Sequence, residues 1–442
     1  MNDSRELKRV TPDRLSETGP DGGPEPRWRV IACFLLMLAA IQLALGPKIW
    51  LSQWGVSGDD NAAVAEGVAW LKGQTNLDLP KATGPEPEKR IHDTAYHNGK
   101  VYNVFPPLMA ILTVVLHPLH DWYLDLPPGT WIQTPYTLLI FWPLPIVGFI
   151  VFRRQVRDSA WAALLTLAWM GGTAVLPNLH EAQRGYLGQI NHVVSQVGLL
   201  IFAADMLGRQ RIWPALIGLL IATYTRQLTF LYGLPLLYVA WQRGRARLAG
   251  CLVGLAVIAA PLLTLNYLKF GDPLDFGYRY IYVGRGAEDY MGERYLKHGM
   301  FSPVFIPKNF YYMHLAPPRL DFDPPLVNIS ADNQEGTSMW ITTPLAAMTI
   351  IAWRWWWPDP KRRLLMLGTV PVMIGLWCYH SPGFMEYGYN RFALDFLPIW
   401  LVVIAAQTRG GWRTWFTLGC TAWSLLYFQA LLPNTPISWI RG

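Results

Sequence analysis

Apolar residues in this chain fall into long runs separated by short basic turns. The first run extends from about Val30 to Leu51, close to the ~20 residues a helix needs to cross a ~30 Å hydrocarbon core. Further runs lie at about 132–152, 159–176, 188–206, 212–225, 227–241, 248–268, 338–357, 364–380, 392–407 and 413–432. The pattern predicts an all-α integral membrane protein, a polytopic bundle of about eleven transmembrane helices. Two long polar loops interrupt it, at about 53–131 and 269–337, and a shorter one covers 381–391.

The stretch from Phe105 to Leu119 is apolar but short, with Pro106, Pro107 and Pro118 at its ends. Apolar runs of roughly 10–14 residues tend to lie in the interface rather than cross, and the charges decide this case. If 105–119 crossed, Arg153, Arg154 and Arg157 would face outward and every later basic cluster would be inverted. If it lies on the membrane surface, the clusters Arg209/Arg211, Arg243/Arg245/Arg247, Lys361/Arg362/Arg363 and Arg409/Arg413 all fall on one side. That side is the cytoplasm by the positive-inside rule, so both long loops face the opposite way. The expected location is a plasma membrane or a cell inner membrane, multi-pass, with the N-terminus cytoplasmic.

Composition sharpens the picture. Hydrophobic residues make up 52% of the 442 and charged residues only 15%, against about 25% in soluble domains. Many of the 22 Trp flank apolar runs, as an aromatic belt requires. The net charge of +7 resides in turns between spans, which excludes a nucleic-acid-binding face. Cys33, Cys251, Cys378 and Cys420 all lie in apolar runs, so no disulfide framework is indicated. Residues 1–27, rich in Gly, Pro and charge, read as a disordered cytoplasmic tail. The remainder, 28–442, reads as one membrane domain.

Residues able to do chemistry gather in the outward loops. Asp59 and Asp60 stand just beyond the first span and open an interfacial helix over 61–72, whose apolar face is expected on Val64, Val68 and Leu71. One Asp could serve simply as its N-cap. His92-Asp93 precedes Asn98-Gly99, a strong hairpin-turn signal, followed by Lys100 and Tyr102. A small solvated hairpin is the alternative reading there. His92, His97, His180, His298, His314 and His380 fall on the outer side without compact metal-ligand spacing. Asn191 and His192 lie within the fourth span, where interhelical hydrogen bonds are the expected use.

The order of these pieces resembles the GT-C glycosyltransferases. They are a carboxylate after the first span, Leu71-Lys72-Gly73, His92-Asp93, Asn98-Gly99-Lys100 and the lead-in Phe105-Pro106-Pro107-Leu108. The most similar members are bacterial multi-span relatives of protein O-mannosyltransferases and of the lipid A aminoarabinose transferase. Asn266-Tyr267, Phe270-Gly271-Asp272-Pro273, Gly277-Tyr278, Phe301-Ser302-Pro303, Tyr311-Tyr312 and Gly388-Tyr389-Asn390-Arg391-Phe392 with Asp395 and Pro398 extend the likeness over most of 28–410.

The resemblance implies a GT-C-type fold with interfacial helices in the first outer loop. It also implies inverting transfer of a sugar from a polyprenyl-phosphate donor to a hydroxyl of a glycan, lipid or protein acceptor. Asp60 resembles the general base by its spacing to Ala65-Glu66 and Gly73, with Asp59 as runner-up and Asp93 as a further carboxylate. Asn61 stands where many relatives have Glu. A carboxylate base suits a poorly nucleophilic sugar hydroxyl, and carboxylates stabilise an oxocarbenium-like transition state. The phosphate needs cationic partners. Arg226 and Arg391, at the outer ends of predicted helices, are the candidates, with His92, Lys100 and Tyr102 as further substrate-binding residues. Snorkelling is the structural alternative for Arg226, and an i,i+4 ion pair with Asp395 is the alternative for Arg391. A divalent metal ion is left open, since some relatives use one and others do not. Two other classes compete: a transporter or flippase of lipid-linked sugars, which would place ionisable groups near the bilayer midplane, and a glycan ligase or polymerase.

Overall fold

The computed structural model describes residues 25–45, 62–77, 94–116, 142–182, 187–282, 290–323, 326–329, 336–382 and 388–428. These are mostly helical, with two two-stranded antiparallel hairpins. Apolar runs appear as the helices Arg27–Leu45, Pro143–Val156, Ser159–Gly171, Leu187–Leu207, Trp213–Thr223, Gly233–Gln242, Arg245–Phe270, Pro360–Cys378, Leu397–Ile404 and Trp412–Leu426, several of them shorter than expected: Leu397–Ile404 has 8 residues and Gly233–Gln242 has 10. Local chemistry sets the limits. Asp158 and Asp359 cap two helices, accepting from Trp161 N at 2.8 Å and Lys361 N at 2.9 Å. Arg157 and Gly271 end two others in the left-handed conformation.

Among the described residues two helices, Ile190–Leu207 and Arg245–Phe270, are long and apolar enough to cross a membrane. The second is the more telling because its apolar side chains face outward: Val253 is 63% exposed and Val257 60%. A water-soluble chain would bury such a surface, so the helix is suited to a membrane. The expected run 338–357 is not one helix. It breaks into Met339–Thr342, a 3-10 turn Pro344–Ala347, Met348–Ile351 and Trp353–Trp356. Pro344 forces the break by driving Thr343 out of helical geometry, to φ −134° and ψ 67°.

Small residues allow the closest helix contact. Gly198 and Gly218 face each other between Leu187–Leu207 and Trp213–Thr223. A Cβ on Gly218 would stand 2.5 Å from Gly198 O and 2.7 Å from Phe202 N. Where lipid is as apolar as the helix surface, such backbone approach is a main source of helix association.

The first long interval between apolar runs contains the helix Ala62–Leu71, the hairpin Thr94–His97/Lys100–Asn103 and the helix Leu108–Leu116. Asn98 and Gly99 both have positive φ, 51° and 75°, the type I′ turn their sequence signals. The apolar face expected on Val64, Val68 and Leu71 is corrected at Leu71, which is 44% exposed; Val68 is half-buried, and Ala62, Ala63, Ala65, Glu66 and Ala69 are buried. Closeness outweighs side-chain size here. A Cβ on Gly67 would meet Thr113 Cβ at 2.5 Å and Ala110 O at 2.7 Å, so the Leu108–Leu116 helix touches its backbone. That second helix has 9 residues and is ~13 Å long, too short to cross a bilayer.

The glycine contacts predict that Gly218→Ala lowers stability by about 1–3 kcal/mol through overpacking. The thermal unfolding midpoint of detergent-solubilised protein measures this. An unchanged midpoint would mean that the two helices can separate without cost.

Candidate functional site

Arg226 follows the helix Trp213–Thr223 and precedes a 3-10 turn, Gln227–Tyr232. Its guanidinium grips Asp395, donating from Nε to Oδ1 at 3.1 Å and from Nη2 to Oδ2 at 2.8 Å. Asp395 is fully buried, whereas the Arg226 side chain keeps 20% of its surface open. His192 Nδ1 stands 3.5 Å from Asp395 Oδ1, and Tyr232 donates its hydroxyl to Asp395 O at 2.8 Å. Gln196 donates to Leu394 O at 2.9 Å. The 3-10 segment Arg391–Asp395 is thus held from two helices.

Asp395 was expected to pair with Arg391 one helical turn away. The segment between them is 3-10, where i and i+4 do not stack, and the cation gripping the carboxylate is Arg226. Both arginines nevertheless converge on Phe392: the guanidinium carbon of Arg226 lies 5.2 Å from the ring centroid and that of Arg391 5.4 Å. Arg226 therefore spends Nε and Nη2 on Asp395 while 20% of its side-chain surface stays open. Aromatic rings continue the wall. Tyr379 meets Phe392 at 5.7 Å, Tyr278 meets Tyr379 at 6.5 Å, and Tyr295 meets His380 at 5.2 Å. Asn309 fixes this corner by donating to the terminal carbonyls of Pro360–Cys378, including Trp377 O at 2.9 Å and Tyr379 O at 2.6 Å.

A second ionic link joins the helix Ala62–Leu71 to the end of Arg245–Phe270. Glu66, on the small-residue helix, pairs with Lys269 at the end of Arg245–Phe270, and both are buried. Asn103 completes the unit. Its Nδ2 donates to Glu66 Oε2 at 2.7 Å and its carbonyl accepts from Lys269 Nζ at 2.8 Å. Sequence reasoning did not single out Lys269. The available signal was a lysine set against an otherwise apolar run, with Glu66 on a face of alanines. Around this unit Tyr102 meets Phe270 at 5.5 Å and His97 meets Tyr280 at 4.2 Å. The backbone of Leu108 donates to Tyr224 O at 3.0 Å, which ties the first loop to the turn that bears Arg226.

The structure thus brings Arg226 and Arg391 together. Tyr102 is buried in the aromatic cluster, and burial raises its phenol above the ordinary value. Lys100 is exposed at the hairpin tip. Asp59, Asp60, His92 and Asp93 lie outside the described residues. No group of three or more His, Cys, Asp or Glu side chains among the described residues could hold a metal ion. Asn191 and His192 are buried in the Leu187–Leu207 helix. Comparisons of the chain with models of protein families, with characterised proteins and with solved structures return no match.

His314 is a neutral buried histidine. Trp377 Nε1 donates to its Nε2 at 3.2 Å, which requires an unprotonated acceptor, and burial pushes its pKa down to about 4. The unfolded chain takes a proton near pH 6.5 and the folded chain resists until about 4. Stability is therefore full above pH 6.5 and falls as the pH drops toward 4, by up to about 3 kcal/mol from this residue. In the His314→Phe variant part of that decline should vanish from the unfolding midpoint measured across this range. An identical slope would exclude His314 as a source.

Removing one partner of the Arg226–Asp395 pair strands a buried charge. Arg226→Gln should destabilise by about 3–5 kcal/mol, less whatever solvent at its open edge restores. Arg226→Gln combined with Asp395→Asn should be more stable than Arg226→Gln alone. Additive losses in a double-mutant cycle would mean that the two side chains act independently.

Proposed function

We propose that the protein is a multi-pass membrane glycosyltransferase that moves a sugar from a polyprenyl-phosphate donor to an acceptor hydroxyl at the outer membrane surface, with inversion. The observation that carries the reading is the convergence of Arg226 and Arg391 on Phe392 at the outer ends of their helices. Arg226 is held by Asp395 through Nε and Nη2 and keeps 20% of its side-chain surface open. A lipid phosphate wants such a partner. In the donor it is a phosphodiester with one negative charge at the membrane edge, it gains a second as the bond to the sugar breaks, and a guanidinium fixed beforehand meets that charge without ordering cost. The aromatic wall of Tyr278, Tyr379 and Phe392 offers ring faces against which the apolar side of a sugar can rest.

In this reading the acceptor oxygen attacks the anomeric carbon from the side opposite the phosphate. The new C–O bond forms as the bond to the phosphate oxygen breaks. The hydroxyl proton passes to the Asp60 carboxylate, and the polyprenyl phosphate leaves with the bonding pair, its charge met by the arginines. About eleven spans with a cytoplasmic N-terminus put the first outer loop and both arginines on one face. Glu66–Lys269 and Leu108–Tyr224 support that arrangement by binding the first loop to the helix ends that carry the cations.

Asp60→Asn keeps size and can still cap a helix, so it separates basicity from structure. Transfer from a panel of polyprenyl-phosphate sugars should fall on the order of 10²-fold or more with donor binding nearly intact, and Asp59→Asn should cost less. Full activity in both variants would remove this loop from the chemistry. Sugar carried into vesicles without covalent transfer would assign the protein to transport.

A further inference from the structure

The opposite end of the bundle holds a large crevice of about 1860 Å³. It opens between Pro143–Val156, Leu187–Leu207, the start of Trp213–Thr223 and the start of Pro360–Cys378. It is ~20 Å along the Leu187–Leu207 helix from His192 and Asp395. Seven basic side chains and three carboxylates line it. The carboxylates are already occupied. Asp158 accepts from Trp161 N and pairs with Arg409 at 2.9 Å. Asp205 accepts from the backbone of Arg211 and Ile212, each at 3.2 Å. Asp359 caps its helix and accepts from Arg362 Nε at 3.1 Å.

Six of these cations, all but Arg157, divide into two sets. Lys361, Arg362 and Arg409 are committed inside the fold: Lys361 donates to Gly208 O at 2.7 Å, and Arg362 binds Asp359 and Gln407. The Arg154, Arg209 and Arg211 side chains are exposed, lie at the crevice, and make no hydrogen bond or ion pair to another described residue. One wall is apolar, formed by Val147, Ile150, Val151 and Ile201. An inorganic anion would have no use for that wall. An amphiphile with a phosphate at one end and hydrocarbon at the other uses both surfaces, and basic pockets between spanning helices hold anionic lipid head groups in this way.

We propose that this crevice binds the head group of an anionic phospholipid. The phosphate sits between Arg154, Arg209 and Arg211, and the acyl chains run along Val147, Ile150 and Ile201. The site is remote from Arg226 and does not depend on the glycosyl-transfer reading.

The test uses the full chain in detergent, with retention of phosphatidylglycerol and phosphatidylcholine measured by native mass spectrometry. Wild-type protein should retain phosphatidylglycerol in preference to phosphatidylcholine. The triple variant Arg154→Gln/Arg209→Gln/Arg211→Gln should bind it on the order of 10–100-fold more weakly. The Lys triple variant at the same positions should keep most of the binding, which separates loss of charge from loss of fold. Arg245→Gln/Arg247→Gln, at the same end but outside the crevice, should bind as wild type. Unchanged binding by the Gln triple variant, or an equal loss in the Arg245/Arg247 pair, would overturn the site. Displacement of the lipid by millimolar inorganic phosphate would overturn the lipid assignment in favour of a soluble phosphate compound.

Discussion

A charge taken out of water has to be met by another charge, and two such pairs organise one end of this protein. Arg226 closes on the fully buried Asp395 through two nitrogens, and Lys269 closes on the buried Glu66 with Asn103 bridging them. Each pair joins segments far apart in the chain. Breaking either would leave an unpaired charge in a poorly polar interior, which is strongly unfavourable. The pairs therefore act as fixed points: one holds the 3-10 segment Arg391–Asp395 against two helices, and the other holds the helix Ala62–Leu71 against the end of Arg245–Phe270.

The fixed points give the molecule two unlike ends. At one, aromatic rings and paired charges surround two arginines that meet on Phe392. At the other, cations gather around a crevice with one apolar wall. Between them, helices such as Arg245–Phe270 turn apolar side chains outward, and glycines at 198 and 218 let backbones touch. The proposed transfer would use this layout, because a lipid phosphate and a water-borne acceptor meet where apolar and polar surfaces adjoin.

Much of this was legible in the sequence because helix-forming apolar runs and turn chemistry are local. The run at 248–268 and the Asn98-Gly99 turn were read from residues a few positions apart, and the structure places both as expected. Arg226 and Arg391 stood out because cations beside apolar runs are costly. What escaped was pairing at a distance. Asp395 was assigned the neighbour a regular helix would offer, Arg391, but the local backbone is 3-10 and the partner lies 169 positions away. Lys269 and Glu66 drew no notice as a pair, since nothing local to either specifies the other. The exposure of Leu71 at the end of Ala62–Leu71 escaped for a related reason. The helix's larger residues suggested a face, yet close approach of Leu108–Leu116 favoured Gly67 and the alanines.

The central claim is that the arginines at Phe392 receive a lipid-borne phosphate. A density map of the protein with a bound polyprenyl-phosphate analogue tests it most directly. The account predicts the phosphate within hydrogen-bond distance of Arg226 Nη1, beside Arg391, with the polyprenyl chain leaving along the outer face of the helices. A phosphate seated elsewhere, with Arg226 still closed on Asp395 and its open surface unoccupied, would contradict it.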